Sequence, residues 1–274
     1  MNHQEWLNWR RGGIGSSDAP TIMKASPWTT PYQLWEQKVF QTETPDNPYM
    51  KRGRDMEPIA RACLEKKLGV QLFPKNEQHK DINWMRASLD GIDDNREVLV
   101  EIKCPNRPLG EKKIPDHYYP QVQHQMEVAG LDHMYFFVFD GFDGVVIEVG
   151  KDQKYIDNLI KEELHFWNCV LEMEAPELTD NDWASMDHNE TWTSTAERWQ
   201  KTNEQLRSLE KEEALLRDKL IELAANKNAK GANLRLTKSL TKGAVDYTKV
   251  PELKGINLDL YRKNSFTKWR LSVT

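Results

Sequence analysis

The sequence is short of several things, and each shortage narrows what the chain can be. Its 274 residues include three cysteines, Cys63, Cys104 and Cys169. They are odd in number and widely spaced, so they fit neither a disulfide framework nor a zinc site, and a reducing, cytoplasmic setting is expected. No apolar run approaches the roughly 18 residues a membrane-spanning helix needs, and mean hydropathy is −0.77; no membrane partner is expected. The opening MNHQEWLNWRRGG carries no apolar segment of the signal-peptide kind, so no secretory leader is expected. There is no internal repeat and no low-complexity tract.

What is present suits a folded chain. Ten Trp, eight Tyr and eight Phe can build a core, and the length fits one large domain with an appendage. The net charge of −5 is unevenly spread: residues 226–274 hold 11 Lys and Arg against 3 Asp and Glu, while residues 1–180 hold 21 against 30. A basic tail on an acidic body points to a polyanionic partner for the tail. Clustered carboxylates in the body suit a metal-dependent chemistry.

Periodicity and punctuation predict a loop running into a helix at Ser16-Ser17-Asp18 with Pro20 in its first turn, and a helix over Thr30–Val39. Turn residues fill Gln41–Pro48. A helix follows from Lys51, with the stripe Met56, Ile59, Ala60, Cys63, Leu64 and Leu68, and Gly69 ends it. Short strands are predicted at Val70–Phe73 and Val98–Lys103, the latter closed by Cys104-Pro105. Tyr118–Ala129 reads as a helix stopped by Gly130. Met134–Phe139 and Val145–Val149 read as a hairpin joined through Asp140–Gly144, and Lys151–Met173 as a long amphipathic helix. The expected organisation is an α/β core over 1–180, a linker and coiled-coil-like helix over 181–225, and a basic tail over 226–274 containing strands at Asn233–Leu240 and Lys268–Val273. In the long helix Trp199, Leu206, Leu209, Leu216, Leu220 and Leu223 recur at spacings of seven, three and four, interrupted by Glu213.

The chemistry concentrates in Ser88-Leu89-Asp90-Gly91 and Val100-Glu101-Ile102-Lys103. Glu101 and Lys103, two apart on a strand, share a face. Asp90, expected on a preceding turn, brings a second carboxylate. Such oxygen donors suit Mg²⁺, with the Ile102 carbonyl as a further ligand; Lys103 would orient or help deprotonate an attacking water and offset transition-state charge. By spacing alone this pattern is weak, because alternating charges on an exposed strand face usually form cross-strand ion pairs. The run Val98, Leu99, Val100 and Ile102 makes it a central strand, where two inward charges are uncommon. Glu57, on the helix after Lys51-Arg52-Gly53-Arg54, is a third acid.

Five motifs in order resemble the phage-type exonuclease family, that of lambda exonuclease and the YqaJ-like viral recombinases, in the PD-(D/E)XK nuclease superfamily. They are Trp6-Leu7-Asn8-Trp9-Arg10-Arg11-Gly12 with Gly15-Ser16-Ser17-Asp18; Arg52-Gly53 with Glu57; Leu89-Asp90-Gly91; Glu101-Ile102-Lys103-Cys104-Pro105; and Tyr118-Tyr119-Pro120-Gln121-Val122-Gln123-His124-Gln125-Met126. The resemblance covers residues 5–175. It implies an α/β restriction-endonuclease-like core, a mixed sheet of about five strands flanked by helices. It implies catalytic roles for Lys103, Glu101, Asp90, Glu57 and Gln121, metal ligation by Asp90, Glu101, Ile102 and Glu57, and DNA contacts from Arg10, Ser17, Tyr118 and Gln121. The implied cofactor is Mg²⁺, with Mn²⁺ as a substitute. The implied activity is 5′-to-3′ degradation of one strand of linear duplex DNA from 5′-phosphorylated ends, leaving 3′ overhangs. A single-strand annealing protein and a ring-shaped homotrimer are the implied partners, and a phage or prophage source in a bacterial host the implied setting. An endonuclease using the same metal site, or a non-catalytic DNA-binding scaffold, are the alternative readings. The chain departs from compact members of the family in the 101 residues beyond Met173, for which the basic tail suggests contact with DNA or an acidic partner.

Overall fold

The computed structural model describes residues 2–42, 47–105, 113–256, 258–263 and 265–272. It divides into two compact units, Met1–Ala184 and Ser185–Thr274. The first opens with α1 (His3–Arg11), β1 (Ile14–Gly15), α2 (Ala19–Ile22), α3 (Pro31–Phe40) and α4 (Pro48–Leu68). It continues with β2 (Phe73–Gln78), β3 (Met85–Ile92), β4 (Leu99–Lys103), α5 (Tyr119–Ala129), β5 (His133–Phe139), β6 (Gly144–Gly150) and α6 (Gln153–Glu172).

Local chemistry sets the helix ends. Asn2 and Glu5 form a capping box on α1, and Thr30 and Gln33 another on α3. Asn47 caps α4 ahead of Pro48, and Gly69 ends it in the left-handed region at φ 72°. Gly130, at φ 69°, ends α5 in the same way.

The strands form one mixed sheet of six. β1 runs parallel to β3, β2 and β4 antiparallel to it, β4 parallel to β5, and β5 antiparallel to β6. β2 pairs along β3 from Arg86 to Ile92. β1 pairs at Met85 and Arg86, and β4 at Gly91 and Ile92. A strand has two edges, so β1 and β4 share the edge opposite β2. Between them, among the described residues, Ala87–Asp90 has no strand partner on that edge. This notch positions the site.

Helices cover both faces of the sheet. Ala60 and Leu64 of α4 pack with Val100, Ile102, Phe137 and Phe139. Val122 and Met126 of α5 pack with Met85, Ala87, Leu89, Leu99, Phe136 and Val138 on the other face. Phe136 and Phe137 are each fully buried, worth roughly 1.5–3 kcal/mol apiece. A third cluster joins Ile14 and Ile22 to Leu34, Trp35 and Phe166.

Among its described residues the second unit has one long helix, α7 (Glu190–Leu223), then a small hairpin of β7 (Ala229–Gly231) and β8 (Leu234–Leu236). Ala232 and Asn233, at φ 47° and 63°, make its two-residue turn.

Several expectations need correction. α1 was not foreseen. The helix expected at Ser16 is confined to Ala19–Ile22, with Ser16–Asp18 in the turn before it. The short strand expected at Val70 begins at Phe73. α7 starts at Glu190, inside the expected linker. Residues 268–272 are not a strand, and Val273 lies outside the described residues. Most consequentially, Asp90 is not on a turn but within β3. Met85, Ala87 and Leu89 alternate inward as a strand should, but Asp90-Gly91 reads as a turn dipeptide and hid the strand.

Gly91 is required by close packing: a Cβ there would lie 2.8 Å from Val100 Cγ2 and 3.0 Å from Leu72 Cβ. Gly91→Ala is expected to destabilise the protein by about 1–3 kcal/mol. Gly53→Ala, in α4 with nothing within 4 Å of its would-be Cβ, is expected to stabilise by up to about 1 kcal/mol. Urea melts of both variants check the contrast.

Candidate active site

Where β4 leaves β3, side chains replace the missing ladder. Register continued one step past the Gly91–Val100 pair would set Asp90 opposite Glu101. Instead Asp90 Oδ2 accepts the Ile102 N–H at 2.8 Å, and Gln125 Nε2 reaches the Ser88 carbonyl at 3.4 Å. The β2–β3 register slips between Phe73–Ile92 and Lys75–Leu89, so β3 carries one extra residue around Asp90-Gly91. This is a bulge, a device that re-aims side chains. The core-facing residues of β3 accordingly switch from odd positions, Met85, Ala87 and Leu89, to the even position Ile92. The Asp90 carbonyl accepts from Arg61 Nε at 2.6 Å. The same guanidinium pairs with Glu57 one helical turn earlier on α4.

Glu101 is buried among donors. Its Oε1 accepts from Gln121 at 2.7 Å and its Oε2 from Gln125 at 2.6 Å, and Lys103 Nζ is 2.6 Å from Oε1. Lys103 also donates to Gln121 Oε1 at 3.2 Å and lies over the Tyr118 ring, 4.8 Å from its centre. Helix α5 is pinned behind this group by His124. Its Nε2 donates to the Arg86 carbonyl of β3 at 2.8 Å, and its Nδ1 shares a proton with Glu163 Oε1 of α6 at 2.7 Å.

Burial pushes the Asp90 carboxyl well above the usual carboxylate range, and the neighbouring Glu101 and Glu57 add to it. Burial and Glu101 likewise raise Glu57, against the pull of Arg61. Burial works against the Lys103 ammonium, but Glu101 and Asp90 outweigh it and hold the lysine charged above its ordinary range. Burial and Glu57 push the Cys104 thiol up to about 11, so the cysteine beside Lys103 is no thiolate nucleophile at neutral pH.

A second group sits at the β1 end of the notch. Arg10 donates to Ser17 Oγ at 2.8 Å and to Asp18 Oδ1 at 3.3 Å. Lys38 contacts Asp18 Oδ2 at 2.7 Å and the Gly13 carbonyl at 3.0 Å. Burial would raise Asp18, but Lys38 and Arg10 reverse this and hold it below the ordinary carboxylate range. Arg10 also lies over the Trp6 ring at 5.2 Å, and the Trp6 indole donates to Ser88 Oγ at 3.1 Å, tying α1 to β3.

Of the residues singled out by sequence, Glu57, Asp90, Glu101, Ile102, Lys103, Tyr118 and Gln121 fall in the first group, and Arg10 and Ser17 in the second. Four participants were missed. Gln125 is one turn beyond Gln121 and Arg61 one turn beyond Glu57, so helical spacing carried both. Asp18 was read as a helix cap and as the end of the Gly15–Asp18 motif but given no role, and no local signal marked Lys38, twenty residues from its partner.

Among the described residues no group of three or more His, Cys, Asp or Glu forms a ready-made metal cage. The donor set nonetheless fits a hard dication. Mg²⁺ characteristically takes one or two carboxylates and completes its shell with water and phosphate oxygens. The raised carboxyl of Asp90 beside Glu101 records a surplus of negative charge that such an ion would offset.

The mixed sheet notched at β3 and covered by helices is an α/β fold shared with solved exonuclease structures. It is similar to an alkaline exonuclease, LHK-Exo, from Laribacter hongkongensis, with a TM-score of 0.55 and 23% identity, covering 62% of this chain and 93% of that one. The structure of LHK-Exo in complex with dAMP gives a TM-score of 0.51 at 23% identity over the same shares. A family model described as the YqaJ-like viral recombinase domain matches residues 5–132. A Bacillus subtilis (strain 168) relative described as "Uncharacterized protein YqaJ" is 32% identical over 190 residues, which is 65% of this chain; the match spans 60% of that protein's length.

The two aspartates Asp18 and Asp90 titrate in opposite senses. Asp18 is lowered, so its ion pairs stabilise the fold above the ordinary carboxylate range and are lost as pH falls from that range to the lower pH at which the folded carboxyl protonates. Asp18→Asn is expected to cost roughly 3 kcal/mol at pH 7. Asp90 is raised, so its ionised form opposes folding. Asp90→Asn without added metal is expected to raise the melting temperature by about 2–6 °C at pH 7, a gain that disappears as pH falls to the ordinary carboxylate range. Thermal melts between about pH 2 and 8 check both signs.

Proposed function

We propose that the chain is a divalent-metal-dependent nuclease that resects linear double-stranded DNA from 5′-phosphorylated ends in the 5′-to-3′ direction. The observation that carries this reading is the notch in the edge of β3, with Asp90, Glu101 and Lys103 at one end and Arg10 and Ser17 at the other. The alkaline exonuclease whose fold is similar supports it, as does that enzyme's complex with dAMP, a nucleoside monophosphate of the kind exonucleolytic cleavage releases.

In this reading Asp90 and Glu101 hold the ion, with Glu57 supporting them across Arg61 and the Ile102 carbonyl alongside. Bound Mg²⁺, or Mn²⁺ in its place, supplies Lewis-acid polarisation of the scissile phosphate and a lowered pKa for the attacking water. Gln121 and Gln125 fix the Glu101 carboxylate, so its geometry needs no reorganisation during reaction. Lys103, held charged, donates to the attacking water and to the phosphoryl oxygens as negative charge builds. Tyr118 packs beneath that ammonium and limits its directions of approach. Arg10 and Ser17 present a guanidinium and a hydroxyl to a terminal 5′-phosphate. Each cleavage then leaves a new 5′-phosphate on the shortened strand, so the product end becomes the next substrate end.

The 3′ overhang so produced is the substrate class of a single-strand annealing protein, which is the partner this reading implies. A ring-shaped homotrimer threaded by the duplex belongs to the same reading. An endonuclease would use the same acids and lysine; the Arg10–Ser17 pair favours an enzyme that holds ends.

The test compares 5′-phosphorylated linear duplex, 5′-hydroxyl linear duplex and closed circular DNA, each with and without Mg²⁺. Metal-dependent loss of the phosphorylated linear DNA is expected, slowed at least about 100-fold by Lys103→Ala. Arg10→Ala is expected to remove most of the preference for phosphorylated over hydroxyl ends, on the order of 10-fold. Cutting of the circle would replace this reading with an endonuclease. No cleavage of any substrate would leave a DNA-binding scaffold.

A further inference from the structure

Helix α7 runs for 34 residues and buries none of them. Its leucines at 206, 209, 216, 220 and 223 are between 44% and 75% exposed. With Leu206 as heptad position a, Leu209 is d, Glu213 a, Leu216 d, Leu220 a and Leu223 d. The flanking e and g positions carry Glu210 and Glu212 in one heptad and Arg217 and Lys219 in the next.

These charges select an orientation and a register. In a parallel pair the g-to-e′ contacts would be Gln205–Glu210′, Glu212–Arg217′ and Lys219–Ala224′, and two Glu213 carboxylates would face each other inside the seam. That gives one kind of ion pair and one like-charge clash. In an antiparallel pair, a meets d′, e meets e′ and g meets g′. Setting Leu206 against Leu223′ brings Leu209 against Leu220′ and Glu213 against Leu216′. Glu210 then meets Arg217′ and Glu212 meets Lys219′, each twice by the two-fold symmetry. Shifting by one heptad in either direction sets Glu210 on Glu210′ and Glu212 on Glu212′, or Arg217 on Arg217′ and Lys219 on Lys219′. One register alone is fully complementary.

We propose that α7 is a self-association surface, and that two copies of this chain pair antiparallel through residues 206–223 in that register. The contact covers the exposed leucine seam and removes the Glu213 clash. It is two-fold, so it doubles whatever assembly the first unit forms, and it does not depend on the nuclease reading. Its ion pairs are solvent-exposed, so the association weakens as salt is raised.

The test uses the full chain and sedimentation at micromolar concentration and low salt. The wild type is expected at twice the mass of the variant carrying Arg217→Glu and Lys219→Glu, and of the variant carrying Glu210→Lys and Glu212→Lys. Mixing the two variants is expected to restore the wild-type mass, because every e–e′ and g–g′ contact is again between opposite charges. With Cys63, Cys104 and Cys169 replaced by Ser, a Leu206→Cys copy is expected to form a disulfide with a Leu223→Cys copy and neither with itself. If the charge variants keep the wild-type mass, the seam is not the contact. If Leu223→Cys cross-links to itself, the pairing is parallel. Either result overturns the proposal.

Discussion

The site depends on one topological constraint: two strands cannot occupy the same stretch of one edge. β2 takes one edge of β3, so β1 and β4 divide the other and leave Ala87–Asp90 between them. Backbone groups in that gap must be paired by something other than a strand. The Asp90 carboxylate takes the Ile102 N–H, Gln125 takes the Ser88 carbonyl, and Arg61 takes the Asp90 carbonyl. Side chains of the candidate site are thus drawn to the gap by the unmet hydrogen-bonding capacity of the sheet, and the bulge at Asp90-Gly91 aims them.

Electrostatics then distinguishes the two ends of the notch. At the β1 end Asp18 is outnumbered by Arg10 and Lys38, so its negative charge is held comfortably and a positive surplus remains for an anion. At the β4 end the acids outnumber Lys103, and Asp90 is held against its preference. In the proposed reading a terminal phosphate would sit at the first end and a divalent cation at the second. The buried His124–Glu163 pair fixes α5 between the two ends, tying the helix that carries Gln121 and Gln125 to β3 and α6.

Much of this was legible in the sequence, for identifiable reasons. Helices α4 and α6 announced themselves by apolar stripes, and glycines marked the ends of α4 and α5; α3 was read over Thr30–Val39. The hairpin of β5 and β6 was marked by Asp140–Gly144. Glu101 and Lys103 were marked by two charges in an otherwise apolar strand. Strand β3 was concealed because its site residue, Asp90, and the glycine that lets β4 approach, Gly91, together spell a turn. The gap itself was invisible, since it arises from the pairing of β1 with β3 across 70 residues of chain. Lys38 was hidden for the same reason: a long-range ion pair leaves no local trace. At α7, periodicity gave the helix but not its start, because the Asn189 cap lies within a polar segment that reads as linker.

The central claim is that Asp90 and Glu101 hold surplus negative charge that a divalent cation relieves. Thermal unfolding of the DNA-free protein at pH 7, with and without millimolar Mg²⁺ or Mn²⁺, tests it most directly. The account predicts that the cation raises the melting temperature of the wild type, and that Asp90→Asn and Glu101→Gln abolish this rise. Equal stabilisation of wild type and both variants, or no response in the wild type, would contradict it.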